Sequence, residues 1–217
     1  MKTLLAFSCA LFVAPLLRAT VQTPDRILRD GQKYSLLNYP LEYYFAQHPD
    51  RRPQGVVLSS DLWRGYIATF EIKDKQVFVK DIAVRGSFWD EEGDVIDKVE
   101  EAAADDMDTE TSVMKKTFPG ADAPKAGWMT GMLEFAEGEW PRHEHFFLLE
   151  ILEGDVAWER ALTRREYLDF SDKRSKAFWE SDAYKARKYD GSLDVFDGLQ
   201  ENFNHAYTTN FFANPVQ

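Results

Sequence analysis

The chain has 217 residues, of which 44% are hydrophobic and 14% aromatic, so it is long enough to bury a core and its composition argues against disorder. Its formal net charge of −11 at pH 7 argues against binding to nucleic acid or to an anionic membrane surface, because both would repel it. The same charge favours a basic partner. The simpler alternative is that acidity keeps the protein in solution.

The first nineteen residues have the three parts of a secretory signal peptide. Lys2 gives a positive start, residues from Leu4 to Leu17 are almost wholly apolar, and Ala19 is a small residue of the kind that signal peptidase needs. We therefore predict a signal peptide over residues 1–19 and a periplasmic or secreted product. Because the apolar run is short for a membrane span, we predict no integral membrane segment after cleavage; an uncleaved anchor is the alternative.

Cleavage after residue 19 changes the chemistry of the chain. It removes two positive charges, Lys2 and Arg18, so the formal charge changes from −11 to −13, and it also removes Cys9, the only cysteine. The mature protein then has no thiol and no disulfide, and its stability must come from its core. This combination fits a bacterial periplasm better than a small eukaryotic secreted scaffold.

Residues 20–31 are polar, and the Asp30-Gly31 pair predicts a turn. A short strand over Tyr34–Leu37 follows. Pro40 suits the first turn of a helix, and the apolar and aromatic residues after it recur at helical spacing, so we predict a helix over Pro40–His48. Pro49–Pro53 cannot continue that helix and predicts a loop.

The stretch from Asp61 to Val84 has the clearest β-hairpin pattern in the chain. Apolar and polar residues alternate from Tyr66 to Ile72, the polar residues Lys73–Lys75 predict a turn, and the alternation resumes from Phe78. An isolated hairpin is only marginally stable in water, so other strands or a helix must cover its apolar face.

Later segments predict further strands and helices. The predicted strands are Val56–Leu58, Gly127–Phe135, Glu144–Leu152, which is apolar on both faces and therefore typical of a central strand, and Val156–Trp158. Thr163 and Glu166 have the spacing of a capping box that begins a helix, with Leu162 and Tyr167 placed for a hydrophobic staple. The other predicted helices are Asp94–Ala104, Ser171–Lys188 and Ser192–Phe203.

These elements predict an α+β fold, with a mainly antiparallel β-sheet, one or two packed helices and a helical C-terminal extension. The predicted boundaries are residues 1–19 for the signal peptide, 20–161 for the β-rich core domain and 162–217 for the helical extension packed on that core.

Three strings resemble a family of uncharacterised bacterial proteins. They are DGQKYSLLNYPLEYYF (Asp30–Phe45), LWRGYIATFEI (Leu62–Ile72) and GWMTGML (Gly127–Leu133), and the resemblance covers roughly residues 25–160. It implies no activity, ligand or catalytic residue. The signal peptide, the acidic segment near residue 105 and the C-terminal tail lie outside the pattern.

His143 and His145 are the candidate metal ligands. Residues i and i+2 of a strand point to one face, which is how a β-barrel presents two imidazoles to one metal ion. The spacing of Gly138, His143, His145 and Glu150 approaches the first cupin motif, but the glycine spacings are short and Glu150 falls on the opposite face. The favoured interpretation is therefore a pair of structural histidines, and the alternative is a metal-dependent enzyme with Glu144 as acid or base.

Trp63, Arg64 and Tyr66 are the candidate ligand-binding residues. Arg64 lies between two aromatic residues, where its guanidinium can clamp a ligand carboxylate or stack on Trp63. The alternative is that Arg64 braces the start of a strand. No nucleophile motif or phosphate-binding glycine loop is present in the sequence, and we predict no cofactor.

The sequence therefore favours an exported, soluble, non-enzymatic binding protein, and more specifically an immunity-type inhibitor that holds a basic toxin by charge complementarity. The alternatives are a metal-dependent enzyme with a cupin-like site at His143 and His145, and a structural component of the cell envelope.

Overall fold

The computed structural model of the protein describes residues 22–53, 61–85, 109–138 and 142–180. Eight strands and three helices are found in these ranges. The strands are β1 (Arg26–Arg29), β2 (Gln32–Leu36), β3 (Ile67–Lys73), β4 (Gln76–Arg85), β5 (Glu110–Ser112), β6 (Gly131–Ala136), β7 (His145–Leu152) and β8 (Asp155–Thr163). The helices are α1 (Pro40–Gln47), α2 (Met114–Thr117) and α3 (Arg164–Glu180), and a 3-10 turn spans Pro49–Arg51.

Seven of these strands form a closed barrel. Their order is β3, β1, β2, β6, β7, β8 and β4, and pairing of β4 with β3 completes the ring, while β5 pairs with β4 outside it. All neighbours are antiparallel except β1 and β3, which run parallel from Arg26 opposite Thr69 to Arg29 opposite Ile72. The junction of β4 with β8 is a single residue pair, Gln76 with Asp155.

The predicted α+β fold, a mainly antiparallel sheet with one or two packed helices, is therefore wrong, because the strands close into a barrel. The closure of the barrel depends on β1, which has only four residues. These residues belong to the polar stretch 20–31, where no alternation of apolar and polar residues predicted a strand. The closure also depends on a parallel pairing between segments about forty residues apart and on the one-pair contact between β4 and β8. Closing the ring pairs strand edges that an open sheet would expose.

The main core fills the barrel, and helix α1 packs against it. Alternate residues of neighbouring strands are buried together, as with Ile27 opposite Phe70 and Leu133 opposite Leu149. Pro40 occupies the first turn of α1, and Phe45 of that helix packs edge-on against a core tyrosine with the ring centroids 5.4 Å apart. This burial is the main stabilising term for α1, which at eight residues is too short to be stable alone.

Strand β7 is buried on both faces, as its sequence predicts. Phe147 and Leu149 face the barrel, and Phe146 and Leu148 belong to a second apolar cluster on the outer side, against which α3 packs. Phe146 stacks on Tyr167 of α3 with the ring centroids 4.1 Å apart. Helix α3 is therefore held on the outside of the barrel.

The start of α3 confirms the predicted capping box. The Thr163 N–H donates to Glu166 Oε2 at 2.8 Å, and the Glu166 N–H donates to Thr163 Oγ1 at 3.4 Å. Leu162 and Tyr167 meet in the outer cluster, as the predicted staple requires. Further along α3, Arg174 pairs with the buried Glu134 of β6, with Nη2 3.0 Å from Oε2.

Most of the other predicted elements within the described ranges are confirmed, with shifts of a few residues at their ends. These are the β3–β4 hairpin, the turn at Asp30, strands β2, β6, β7 and β8, and helix α1. The signal peptide, the strand over Val56–Leu58, the helices over Asp94–Ala104 and Ser192–Phe203, and most of the acidic segment near residue 105 lie outside the described residues.

Candidate functional site

The N-terminal ends of the parallel strands β1 and β3 carry a buried ion pair. Asp25 precedes β1, Arg64 precedes β3, and neither side chain is exposed to solvent. The Arg64 Nη2 donates to Asp25 Oδ1 at 3.3 Å and to the Thr23 carbonyl at 2.9 Å, and the Ala68 N–H also donates to Asp25 Oδ1 at 2.9 Å. This arrangement ties the segment before β1 to the segment before β3.

Aromatic rings surround this pair. The Arg64 guanidinium lies 3.7 Å from the centre of the Tyr39 ring, a cation–π contact just before α1. The Tyr66 hydroxyl donates to Glu42 Oε1 of α1 at 2.6 Å, and Arg52 pairs with the same carboxylate. The cluster therefore joins α1 to the barrel.

Burial raises the pKa of Asp25 to about 6, although the Arg64 charge and the Ala68 N–H both favour the ionised form. Burial also raises the pKa of Tyr66 well above its ordinary value, so this hydroxyl stays protonated and remains a hydrogen-bond donor. Among the described residues, Asp25 Oδ2 and the Nε and Nη1 of Arg64 have no hydrogen-bond partner.

Of the three predicted ligand-binding residues, the structure brings Arg64 and Tyr66 into this buried cluster and leaves Trp63 40% exposed. The guanidinium of Arg64 lies 5.9 Å from the Trp63 ring, so the predicted stacking contact is loose. The contacts of Arg64 brace the start of β3. A ligand-binding role for these three residues stays a prediction.

The two predicted metal ligands differ in their surroundings. His143 is buried, its Nδ1 lies 2.9 Å from the Glu137 carbonyl oxygen, and its ring meets Phe146 edge-on. His145 is exposed at the start of β7. Within the ranges 22–53, 61–85, 109–138 and 142–180, no three His, Cys, Asp or Glu side chains come together as a metal site. Metal binding by this pair stays a prediction.

The C-terminal ends of β1 and β3 border a cavity of about 460 Å³. It lies where the tips of the β1–β2 and β3–β4 hairpins approach β8, and this volume is in the range of small-molecule sites. Arg29 crosses from β1 to β8, with its Nη2 2.9 Å from Glu159 Oε2. The lining residues are Arg29, Asp30, Gly31, Glu71, Ile72, Lys73, Asp74, Lys75, Val156, Ala157, Trp158 and Glu159.

Aromatic residues of the barrel core lie beneath Arg29. Its guanidinium is 5.9 Å from the Phe147 ring centre, and Phe147 stacks on Phe135 with the centroids 5.0 Å apart. Tyr34 meets both phenylalanines edge-on. Arg29 thus joins the apolar interior to the charged rim of the cavity.

The outer face of the β7–β8 hairpin exposes apolar side chains among acidic ones. Leu152 is 55% exposed, Trp158 is 36% exposed, and Trp158 lies directly opposite Glu150 in the ladder. Glu153, in the turn between the strands, is also exposed. We call Glu150, Leu152, Glu153 and Trp158 the outer hairpin surface.

Sequence reasoning did not identify the cavity. Its residues come from two hairpin tips and from β8, so no short motif contains them. The sequence predicted only the strands and the Asp30-Gly31 turn that carry some of these residues. The ion pair of Asp25 with Arg64 was missed for the same reason.

No family model matches this sequence, and no curated protein or solved structure matches it. None of the helices within the described residues has the length and apolar composition of a membrane span.

Proposed function

We propose that the protein is a non-enzymatic binding protein that holds a basic protein partner, in the manner of an immunity-type inhibitor of a basic toxin. The observation that carries this proposal is the outer hairpin surface, two exposed apolar side chains beside two carboxylates, on a chain with a formal charge of −11.

The geometry of this surface suits a protein partner. A large aromatic side chain surrounded by polar groups is the usual centre of a protein interface, because burying the ring contributes most of the binding energy. Leu152 extends the apolar area from β7, while Glu150 and Glu153 favour a partner with lysine or arginine at the contact. Arg160 lies on the same face of β8, two residues beyond Trp158, and limits the acidic area in that direction.

The test is capture of a partner by the tagged mature protein from its own organism at low salt, followed by assay of the captured protein with and without its binder. We expect a basic protein whose activity falls on binding and whose affinity weakens as salt rises, because salt screens the charge attraction. L152S/W158S should weaken binding by tenfold or more, on the order of the loss of one interface anchor.

The matched control is L168S/W179S, because Leu168 and Trp179 are exposed to a similar degree on α3. This variant should bind like the wild type. Retention of no basic protein, or equal retention by L152S/W158S and the wild type, would contradict the proposal.

A further inference from the structure

The cavity at the C-terminal ends of β1 and β3 combines apolar walls with two lysines at its rim. We propose that it binds a small aromatic carboxylic acid, with the carboxylate at Lys73 and Lys75 of the β3–β4 hairpin tip and the ring against the apolar walls. Trp158 lines this cavity and also belongs to the outer hairpin surface. The inference goes beyond partner binding at that surface, and its test leaves Trp158 unchanged so that the two proposals can fail separately.

Most of the carboxylates around the cavity already lie beside a cation. The Arg29 Nη2 is 2.9 Å from Glu159 Oε2, and its Nε is 3.7 Å from Asp30 Oδ2. The Lys80 Nζ is 3.1 Å from Glu71 Oε2. Asp30, Glu71 and Glu159 are three of the four carboxylates that line the cavity, and Asp74 is the fourth. These three therefore oppose an added anion only weakly.

The β3–β4 tip carries the positive charges that remain. Lys73 and Lys75 line the cavity, and neither forms an ion pair with a described residue. Asp74 lies between them in the chain, so the tip has two positive charges and one negative charge. On a chain with a formal charge of −11, this local excess of positive charge favours an anionic ligand.

The backbone of the tip holds Lys75 in place. Asp74 and Lys75 have positive φ angles of 51° and 59°, as in a two-residue hairpin turn, which usually has glycine at its second position. A lysine there carries backbone strain that glycine would avoid, and such strain is typical of functional positions. The Lys75 carbonyl accepts a hydrogen bond from the Val156 N–H at 2.8 Å, which fixes the tip against β8.

Apolar side chains supply the rest of the site. Ile72 and Val156 line the cavity and pack against the barrel core, and the indole of Trp158 also lines it. An aromatic ring packs well against such groups, edge-on or offset on the indole. The volume of about 460 Å³ is within the range of small-molecule sites. Positive charge beside apolar walls matches an aromatic acid better than a simple anion or a neutral ring.

The experiment is a titration of the full chain with phenylpropanoate, phenylpropanol and phenylpropylamine, followed by NMR of the ligand. We expect the acid to bind with a dissociation constant of about 1 mM or lower. The alcohol and the amine should bind at least about fivefold more weakly, because neither offers a charged acceptor to a lysine. Acetate, which has the charge without the ring, should also bind at least about fivefold more weakly.

Two variants test the lysines. K73Q/K75Q should reduce the preference for the acid over the alcohol to less than about twofold. K75G should weaken binding of the acid by at least about threefold, while its midpoint of urea denaturation equals or exceeds that of the wild type, because glycine relieves the strain. The weaker binding of K75G then cannot come from unfolding.

Two control variants should bind phenylpropanoate as the wild type does. K115Q/K176Q removes two exposed lysines that do not line the cavity. L152S changes the outer hairpin surface at a residue that does not line the cavity, so it separates this site from the partner site. Four results would overturn the proposal: no saturable binding of phenylpropanoate, equal binding of the acid and the alcohol, an unchanged preference for the acid in K73Q/K75Q, or loss of acid binding in L152S.

Discussion

The two ends of the parallel β1–β3 pair each carry an arginine paired with a carboxylate, and the two pairs differ in their exposure to solvent. At the N-terminal ends, Arg64 and Asp25 are fully buried and 3.3 Å apart. At the C-terminal ends, Arg29 and Glu159 are 2.9 Å apart, but the glutamate side chain is 55% exposed. Each arginine also lies over an aromatic ring.

This difference in exposure implies that the Arg64–Asp25 pair stabilises the fold, while the Arg29–Glu159 pair contributes little to stability. Burying a charge away from water costs free energy, and in a buried pair the attraction between the two charges offsets this cost. When a substitution removes one partner, the other charge stays buried without that attraction, and the folded protein is strongly destabilised. An exposed pair contributes little, because water and salt compete with it, and a ligand can replace either partner at small cost. The N-terminal ends therefore join α1 to the barrel, while the pair at the C-terminal ends borders the cavity and is open to solvent.

The largest expected effect is the loss of the buried arginine. R64L should lower the free energy of unfolding by about 3 to 5 kcal/mol, because Asp25 is then left buried without its partner. R29L, the matched substitution at the other end, should lower it by less than about 1 kcal/mol. Urea denaturation of both variants and the wild type measures the difference.

A double substitution sharpens this comparison. D25L/R64L should be more stable than R64L alone, since no unpaired charge remains in the core. Equal destabilisation by R64L and R29L would show that burial does not distinguish the two pairs.

The second prediction concerns the glycines of two turns near the cavity. Gly154 and Gly31 have similar positive φ angles of +80° and +78°, but a Cβ on Gly154 would lie 2.8 Å from the Ala126 carbonyl oxygen, while a Cβ on Gly31 would meet nothing within 4 Å. G31A should cost about 1 to 2 kcal/mol from backbone strain. G154A should cost about 2 to 4 kcal/mol, because overpacking is added to the same strain.

Thermal or urea unfolding of G31A and G154A measures this contrast. A larger decrease in the free energy of unfolding for G154A would show that the β7–β8 turn cannot accommodate a side chain, whereas the β1–β2 turn at Gly31 can. Equal decreases in the free energy of unfolding would mean that the backbone at Ala126 shifts away from the new Cβ of G154A at no energetic cost.

The smallest expected effect is a pH dependence from Asp25. Its pKa is about 6 in the folded protein and about 3.8 when unfolded, so the folded state binds more protons between these values and stability falls as pH rises through about 6. The full contribution is present below about pH 3.8. Between pH 5 and pH 7.5 this group should lower the free energy of unfolding by about 1 kcal/mol.

D25N carries no titrating group at this position and should lack this component. Urea denaturation of D25N and the wild type at both pH values gives the difference. If the free energy of unfolding changes by the same amount between the two pH values in D25N and in the wild type, Asp25 does not contribute, and the exposed carboxylates account for the pH dependence.

Local patterns in the sequence were sufficient for several elements. The alternation on either side of Asp74 predicted the β3–β4 hairpin, and Pro40 with the following aromatic residues predicted α1. Thr163 and Glu166 predicted the start of α3. In each case the residues that determine the structure lie within a few positions of one another, so their spacing is visible in the chain.

Contacts between distant segments could not be predicted in this way. Asp25 belongs to a polar stretch, and nothing beside it in the sequence shows that it is buried against Arg64, 39 positions away. Arg29 meets Glu159 across 130 positions. The cavity likewise needs two hairpin tips and β8, and no short motif contains them. The candidate residues Trp63, Arg64 and Tyr66 lie at the other end of β1 and β3, where a ligand site stays a prediction.

The sequence by itself determined where most of the strands, turns and helices form, because hydrogen bonding, side-chain alternation and capping act over a few residues. Tertiary structure alone decided that the strands close into a barrel, which arginine is fully buried and which is only partly buried, and where a cavity remains. These depend on which distant surfaces exclude water from each other, and that is a property of the folded chain as a whole.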